Sequence, residues 1–388
     1  MIDWILALTL GPLATFVLAE LFARLWLTVR NDYYVLQPHL RLELEIDAEA
    51  LPNLEPVARH FVNADGERAD DLPEDPDQVL RVLVAGGSAA ECYLLDQPST
   101  WPAVAQRELA DRTSRPAHVG NVSRSLVSCE VIEQMLAKSL DRFRSLDVIV
   151  LMVGASDVVG WLEQKTPAEL QAGRTPLSKI LPEHPEGPFG WSKKKLALYR
   201  LVRRANARLR KPVARKSGAG KSLIKNRRMR AMAKTMIDEV PDPTPMLTFF
   251  EAHLRNLITT CKIHAERVLV VRQPWFEKEF TAEEQARLWN FGQGRPYVED
   301  LDTYYTHRVV CELMGAADRT AARVAEDAGV EQLELMSVLP RTFETYYDFL
   351  HFTPAGAELV GKAVADAIVS TPSTLPQNVP AARATTKS

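Results

Sequence analysis

Two short clusters in this chain combine residue types that could support nucleophilic chemistry. Gly86-Gly87-Ser88 follows the β-branched run Val79–Ala85 and precedes a helical pattern. A serine at a strand-to-helix turn exposes its hydroxyl. Its own N–H lies close to a helix N-terminus, where negative charge is favoured. Two glycines, one of them Gly87, give the backbone room. These features suit a serine nucleophile with a backbone donor for an oxyanion. The same turn also fits a phosphate-binding loop or a purely structural bend. The second cluster is Asp348-Phe349-Leu350-His351, which precedes the last helical pattern. An imidazole titrates near neutral pH, so His351 could take the Ser88 proton while Asp348 orients the ring and stabilises its cation. Taken alone, this spacing is equally that of a surface or capping pair.

Other chemistry finds less support. Ser217-Gly218-Ala219-Gly220-Lys221-Ser222 imitates the end of a P-loop, but Arg215 stands where the first glycine belongs. The histidines His118, His253, His264 and His307 have no metal-ligand spacing, and Cys92, Cys129, Cys261 and Cys311 form no CxxC pair. No metal and no cofactor are expected.

For the two clusters to meet, the elements between them must bring their loops to one edge of a sheet. Short apolar runs at Val79–Ala85, Ala117–Gly120, Asp147–Val153, Arg267–Val271 and Glu331–Leu335 read as strands. Helical patterns alternate with them over Trp101–Arg112, Glu130–Arg144, Met246–Ala265, Ala282–Trp289, Asp300–Ala328 and Thr353–Ile368. This alternation predicts an α/β fold with a parallel sheet of about five strands and helices on both faces. Active sites of such sheets lie outside the carboxyl ends of the strands, where both clusters fall.

The flanks differ in character. Trp4–Val29 carries only Glu20 and Arg24 as charges over its 26 residues. As a helix it would reach about 39 Å, enough for a hydrocarbon core of about 30 Å. Residues 1–30 therefore read as a single-pass anchor, with a buried helix or a cleaved signal peptide as rivals. Glu20 and Arg24 are four apart, so they can pair or snorkel. Residues 31–78, acid-rich and Pro-containing, read as a linker and lead-in. The catalytic-type domain would span 79–370, and the Pro/Thr/Ala-rich tail 371–388 reads as disordered.

Within that domain, a basic insertion covers 160–245. Trp191–Lys234 holds 17 Lys or Arg and no acid, so with a net charge of −3 the rest sums to −20. Interleaved Leu196, Leu201 and Leu209 suit a basic amphipathic segment over 193–234. It could lie on anionic lipid or on an acidic face of the same chain. With few aromatics to stack bases, no nucleic-acid partner is expected. The cations Arg24, Arg30 and Arg41 lie at and beyond the C-terminal end of the span, with no Lys or Arg before it, and favour a cytoplasmic domain.

The ordered text resembles the SGNH (GDSL-type) hydrolase family, in particular its membrane-anchored bacterial members. VLVAGGSAAECYLLDQPSTWPAVAQREL resembles the first family block, HVGNVSRSLVS the second, LMVGASD the third and YYDFLHFTPAGAELVGKAVADAI the last. The likeness covers roughly residues 60–370 apart from the basic insertion. It implies a three-layer α/β/α, flavodoxin-like fold and a Ser88–His351–Asp348 triad. It also implies an esterase or deacylase, whose substrate would be a small-molecule or carbohydrate acyl ester, for example on a cell-envelope glycan. By family habit the domain would be extracytoplasmic, against the charge bias. The oxyanion donors implied are the Ser88 N–H, the Ser123 N–H in place of a glycine, and Ser156 in place of the third-block asparagine. Asn121, Gly154 and Asp157 would support them. Losing one such donor costs about 10²–10³ in rate. A weak or inactive module binding glycan or a protein partner at the membrane is the alternative.

Overall fold

The computed structural model describes residues 2–73, 75, 78–143, 146–184, 195–207, 213–216 and 218–370. The 371–388 tail and Trp191–Lys194 lie outside the described residues.

A five-stranded parallel sheet organises the chain. Its order across the sheet is Glu331–Leu333, Ala265–Val271, Leu146–Met152, Leu80–Gly86, Ala117–Asn121. In chain order this is the 2-1-3-4-5 arrangement of flavodoxin-like folds. The register aligns Val82 with Val148 and Gly86 with Met152, and continues Leu146 against Ala265.

Both faces of the sheet are apolar because successive side chains point to opposite sides. Val82, Val84, Val148, Val150, Leu269 and Val271 pack on one face with Trp101, Leu109, Val360 and Val364. Leu83, Ala85, Ile149, Leu151, Val268 and Val270 pack on the other with Ile132, Met135, Leu254 and Ile258. Strands covered on both sides read as continuous hydrophobic runs, and for that reason they stand out in the sequence. The covering helices are Trp101–Arg112 and Pro354–Ser370 on the first face, and Cys129–Ser139 and Thr244–His264 on the second. His307–Asp327 contributes to both clusters, Val309–Ala317 to the first and Ala321–Ala325 to the second.

The structure differs from expectation in several elements. Residues 31–78 do more than link. Arg41–Glu45 and Val57–Phe61 form an antiparallel pair, and Val213–Lys216 joins parallel to the first of them. Leu42, Leu44, Leu51 and Ala58 are buried in the first core cluster. The acids of Arg41-Leu42-Glu43-Leu44-Glu45 alternate with leucines, which is the pattern of a half-buried strand.

The helix expected over 282–289 stops at Gln285 after a Thr281/Glu284 capping box. The one expected over 300–328 begins only at His307. There the Thr306 hydroxyl accepts the Val309 N–H, and the preceding Thr303–Tyr305 pairs in parallel with Thr235–Ile237. The helix expected over 130–144 ends at Ser139 and tightens into a 3₁₀ turn over Leu140–Arg142.

The N-terminal helix spans Ile2–Val29, and its Leu10–Val29 portion is long and apolar enough to cross a membrane. Leu13, Phe16, Leu18, Phe22, Leu25 and Trp26 project outward, whereas Ala23 and Leu27 pack on Ala197. Glu20 and Arg24 pair at 2.8 Å and are buried against the protein. Glu20 also accepts the Ala197 and Leu198 N–H groups at 2.7 and 3.0 Å, capping the Ala197–Ala207 helix. Much of the described basic segment likewise faces its own chain. Arg227 donates to the carbonyls of Ala50 and Arg287, Arg230 to those of Asn290 and Tyr305, and Arg200 pairs with Glu183.

Candidate active site

Ser88 opens a short helix, Ser88–Glu91, at the carboxyl end of the Leu80–Gly86 strand. This strand and Leu146–Met152 flank the switch point of the sheet, where connections leave in opposite directions and open a crevice. Glycine is required in the turn by close approach. A Cβ on Gly86 would stand 2.4 Å from the Met152 carbonyl oxygen and 2.8 Å from Ala90 Cβ. A Cβ on Gly87 would meet Ser156 Oγ at 3.0 Å.

The loop before Pro354–Ser370 delivers Asp348 and His351 to the same crevice. His351 Nε2 lies 2.7 Å from Ser88 Oγ, across 263 residues of sequence. On its other side, His351 Nδ1 lies 2.8 Å from Asp348 Oδ2 and 2.9 Å from Oδ1. The carboxylate accepts a hydrogen bond from Nδ1–H and so holds that tautomer, which leaves Nε2 as the acceptor for the Ser88 hydroxyl. Asp348 is buried and also accepts the backbone N–H groups of Leu350 and His351, both at 2.9 Å. Trp289 Nε1 donates to its Oδ2 at 3.2 Å. Tyr347 stacks on the His351 ring with centroids 5.5 Å apart.

The pair sets its own titration. Burial alone would lower the His351 pKa, but the charge and hydrogen bond of Asp348 outweigh it and hold it above its ordinary 6.5. Burial would raise Asp348, and the His351 cation with three N–H donors holds it below the usual carboxylate range.

The expected oxyanion residues divide into two groups. Ser156 lines the small pocket beside Ser88, together with Gly87, Gly154, Gln273 and Leu350. The Ser88 N–H is the first of its helix and has no helical acceptor behind it. Ser123 is placed differently. Its N–H donates to Asn121 Oδ1 at 2.9 Å, which commits that donor within the turn. Asn121 Nδ2 in turn donates to the Ala90 carbonyl at 2.8 Å, bracing the helix that carries Ser88. Gly154, with φ +114°, caps the Ala155–Glu163 helix. Asp157 accepts the Cys129 N–H with both oxygens, at 3.0 and 3.1 Å, and burial pushes its pKa up to about 7. It ties two helix N-termini together beside the pocket.

Three contributors were not legible as such in the sequence. Trp289, which the sequence pattern placed only at the end of an expected helix, holds Asp348. Arg68, from the supposed linker, is buried and donates to the carbonyls of Glu91, Cys92 and Leu95 at 2.7, 2.9 and 2.7 Å. Those carbonyls end the Ser88 helix and begin the loop after it. Glu91 accepts the Ser125 N–H at 2.6 Å and also bonds the Ser125 hydroxyl, fixing the loop after Ala117–Asn121 to the same helix. No local motif marks any of these residues. Among the described residues, no group of three or more His, Cys, Asp or Glu could hold a metal ion.

No protein-family model and no curated protein matches the chain. Solved structures similar to it include an acetylxylan esterase from Geobacillus stearothermophilus, 12% identical over 74% of this chain and 93% of that one, with TM-score 0.39. A lipolytic protein of the G-D-S-L family from Desulfitobacterium hafniense DCB-2 is 10% identical over 74% and 99%, with TM-score 0.38. An α/β hydrolase enzyme from the metagenome of Lake Arreo, Spain, is 13% identical over 74% and 94%, with TM-score 0.40.

Proposed function

We propose that this chain is a serine esterase or deacylase held at a membrane by its N-terminal helix. The observation that carries the reading is the continuous Ser88 Oγ–His351 Nε2 and His351 Nδ1–Asp348 contact, with Asp348 held by further donors. Ser88 Oγ attacks an acyl carbonyl carbon while His351 Nε2 takes its proton. Asp348 stabilises the imidazolium that forms. The oxyanion of the tetrahedral intermediate takes hydrogen bonds from the Ser88 N–H and the Ser156 hydroxyl, since the Ser123 N–H is engaged by Asn121. Collapse expels the alcohol, which receives the proton from His351. Water, or the hydroxyl of an acceptor, then releases the acyl group by the same path in reverse. No cofactor enters this chemistry. The substrate we favour is an O-acyl group on a cell-envelope carbohydrate, which a membrane-held domain is placed to reach.

Labelling by a fluorophosphonate tests the reading. The full-length protein should be labelled and Ser88→Ala should not. A folded wild type that resists labelling refutes it. The engaged Ser123 donor favours one other reading, a module that binds acyl glycan without turnover. Glycan binding unchanged in Ser88→Ala, with no ester cleavage by wild type, would establish that reading instead.

A further inference from the structure

A second cleft adjoins the Ser88 pocket, and the two share Ser156 as a wall. Its volume is about 320 Å³, large enough for a sugar-sized group. Three of its lining side chains are exposed cations: Arg174, Lys179 and Arg295. None of the three forms an ion pair among the described residues, whereas Arg200, Arg203 and Arg204 of the basic insertion do. The cleft also holds two carboxyl groups, but both are occupied. Glu130 accepts the Gly173 N–H at 2.7 Å and the Gln134 amide. Asp157 is turned to the Cys129 N–H, and burial weakens its ionisation. The three cations outnumber the two carboxyl groups of the lining, so the cleft carries an excess of positive charge on a chain whose net charge is −3.

We infer that this cleft selects anionic substrates: the ester bound at Ser88 carries a carboxylate, sulfate or phosphate group that Arg174, Lys179 and Arg295 receive. This rests on the esterase reading of Ser88 and adds the charge class of its substrate. A cleft with an excess of one sign of charge concentrates counter-charged ligand and speeds encounter by about 10–10³, an effect that salt erodes. Arginine adds a planar fork that matches an oxyanion group with two hydrogen bonds. The cleft lies beside the nucleophile, so the anion sits on the part of the substrate next to the acyl group.

The experiment compares O-acetyl glucuronate with O-acetyl glucose, using full-length protein. Wild type should show a kcat/KM for the glucuronate ester at least about tenfold higher at low salt, shrinking as salt rises. The triple variant Arg174→Gln/Lys179→Gln/Arg295→Gln should lose that preference. Binding to Ser88→Ala, followed by calorimetry, gives a readout independent of turnover. It should show tighter binding of O-acetyl glucuronate than of O-acetyl glucose, and adding the three glutamines should abolish the difference. Equal binding of the two sugars, or a preference that survives the triple substitution, overturns the inference. Turnover of neither ester with charge-selective binding intact would refute the esterase reading and leave the cleft assignment standing.

Discussion

Asp348→Asn isolates what the buried carboxylate does. In the native site Asp348 faces only donors: Leu350 N–H and His351 N–H on Oδ1, His351 Nδ1–H on both oxygens, and Trp289 Nε1–H on Oδ2. Asparagine supplies one oxygen and one NH₂ group. If the oxygen stays with the two backbone donors, the NH₂ confronts His351 Nδ1 and the indole N–H. The imidazole resolves the clash by moving its proton to Nε2. That proton then points at Ser88 Oγ, and the ring no longer accepts the hydroxyl proton. In a serine triad this inversion costs about 10⁴ in kcat. The stranded indole donor adds a folding cost of about 1–3 kcal/mol.

The pH profile separates this effect from simple damage. The neutral imidazole is the base, and Asp348 holds its pKa above 6.5, so wild-type kcat/KM should rise with pH through a limb above 6.5. Asparagine removes the charge that raises the pKa, and the burial that lowers it remains. The residual activity of the variant should therefore have its acid limb at lower pH than wild type. Steady-state hydrolysis of 4-nitrophenyl acetate from pH 5 to 9 measures both quantities. A folded variant with more than a tenth of wild-type kcat and an unmoved limb would refute the assigned role of Asp348.

Two further substitutions probe the surroundings of the triad. Ser156→Ala should lower kcat by about 10² with little change in KM, because its hydroxyl is assigned to the oxyanion of the transition state; a matching rise in KM would show that it binds ground-state substrate instead. Arg68→Met should lower stability by about 3 kcal/mol in urea denaturation, since it strands three carbonyls, two of them in buried bonds, that now bond a charged donor; a loss under about 0.5 kcal/mol would mean that water replaces the guanidinium.

The sequence itself determined the sheet. Its three central strands, Leu80–Gly86, Leu146–Met152 and Ala265–Val271, are covered on both faces, so each carries a run of Val, Ile and Leu that needs no partner to be noticed, whereas the edge strands Ala117–Asn121 and Glu331–Leu333 are short and mixed in composition. It also placed Ser88, Asp348 and His351 in loops after strands, which puts them at one edge of any parallel sheet. Strand-like alternation at Arg41–Glu45 was present too, hidden by the acids that fill its outer face. What only the tertiary structure decided concerns groups joined by direction. Whether Ser123 N–H points to a substrate or to Asn121 depends on the path of one turn. Trp289 reaches Asp348 over 59 residues, and Arg68 reaches the end of the Ser88 helix from a segment without a motif. A hydrogen bond is set by angles and a few tenths of an ångström, whereas burial is set by composition along a strand. Composition is written in the order of residues, and those angles exist only once the chain has closed on itself.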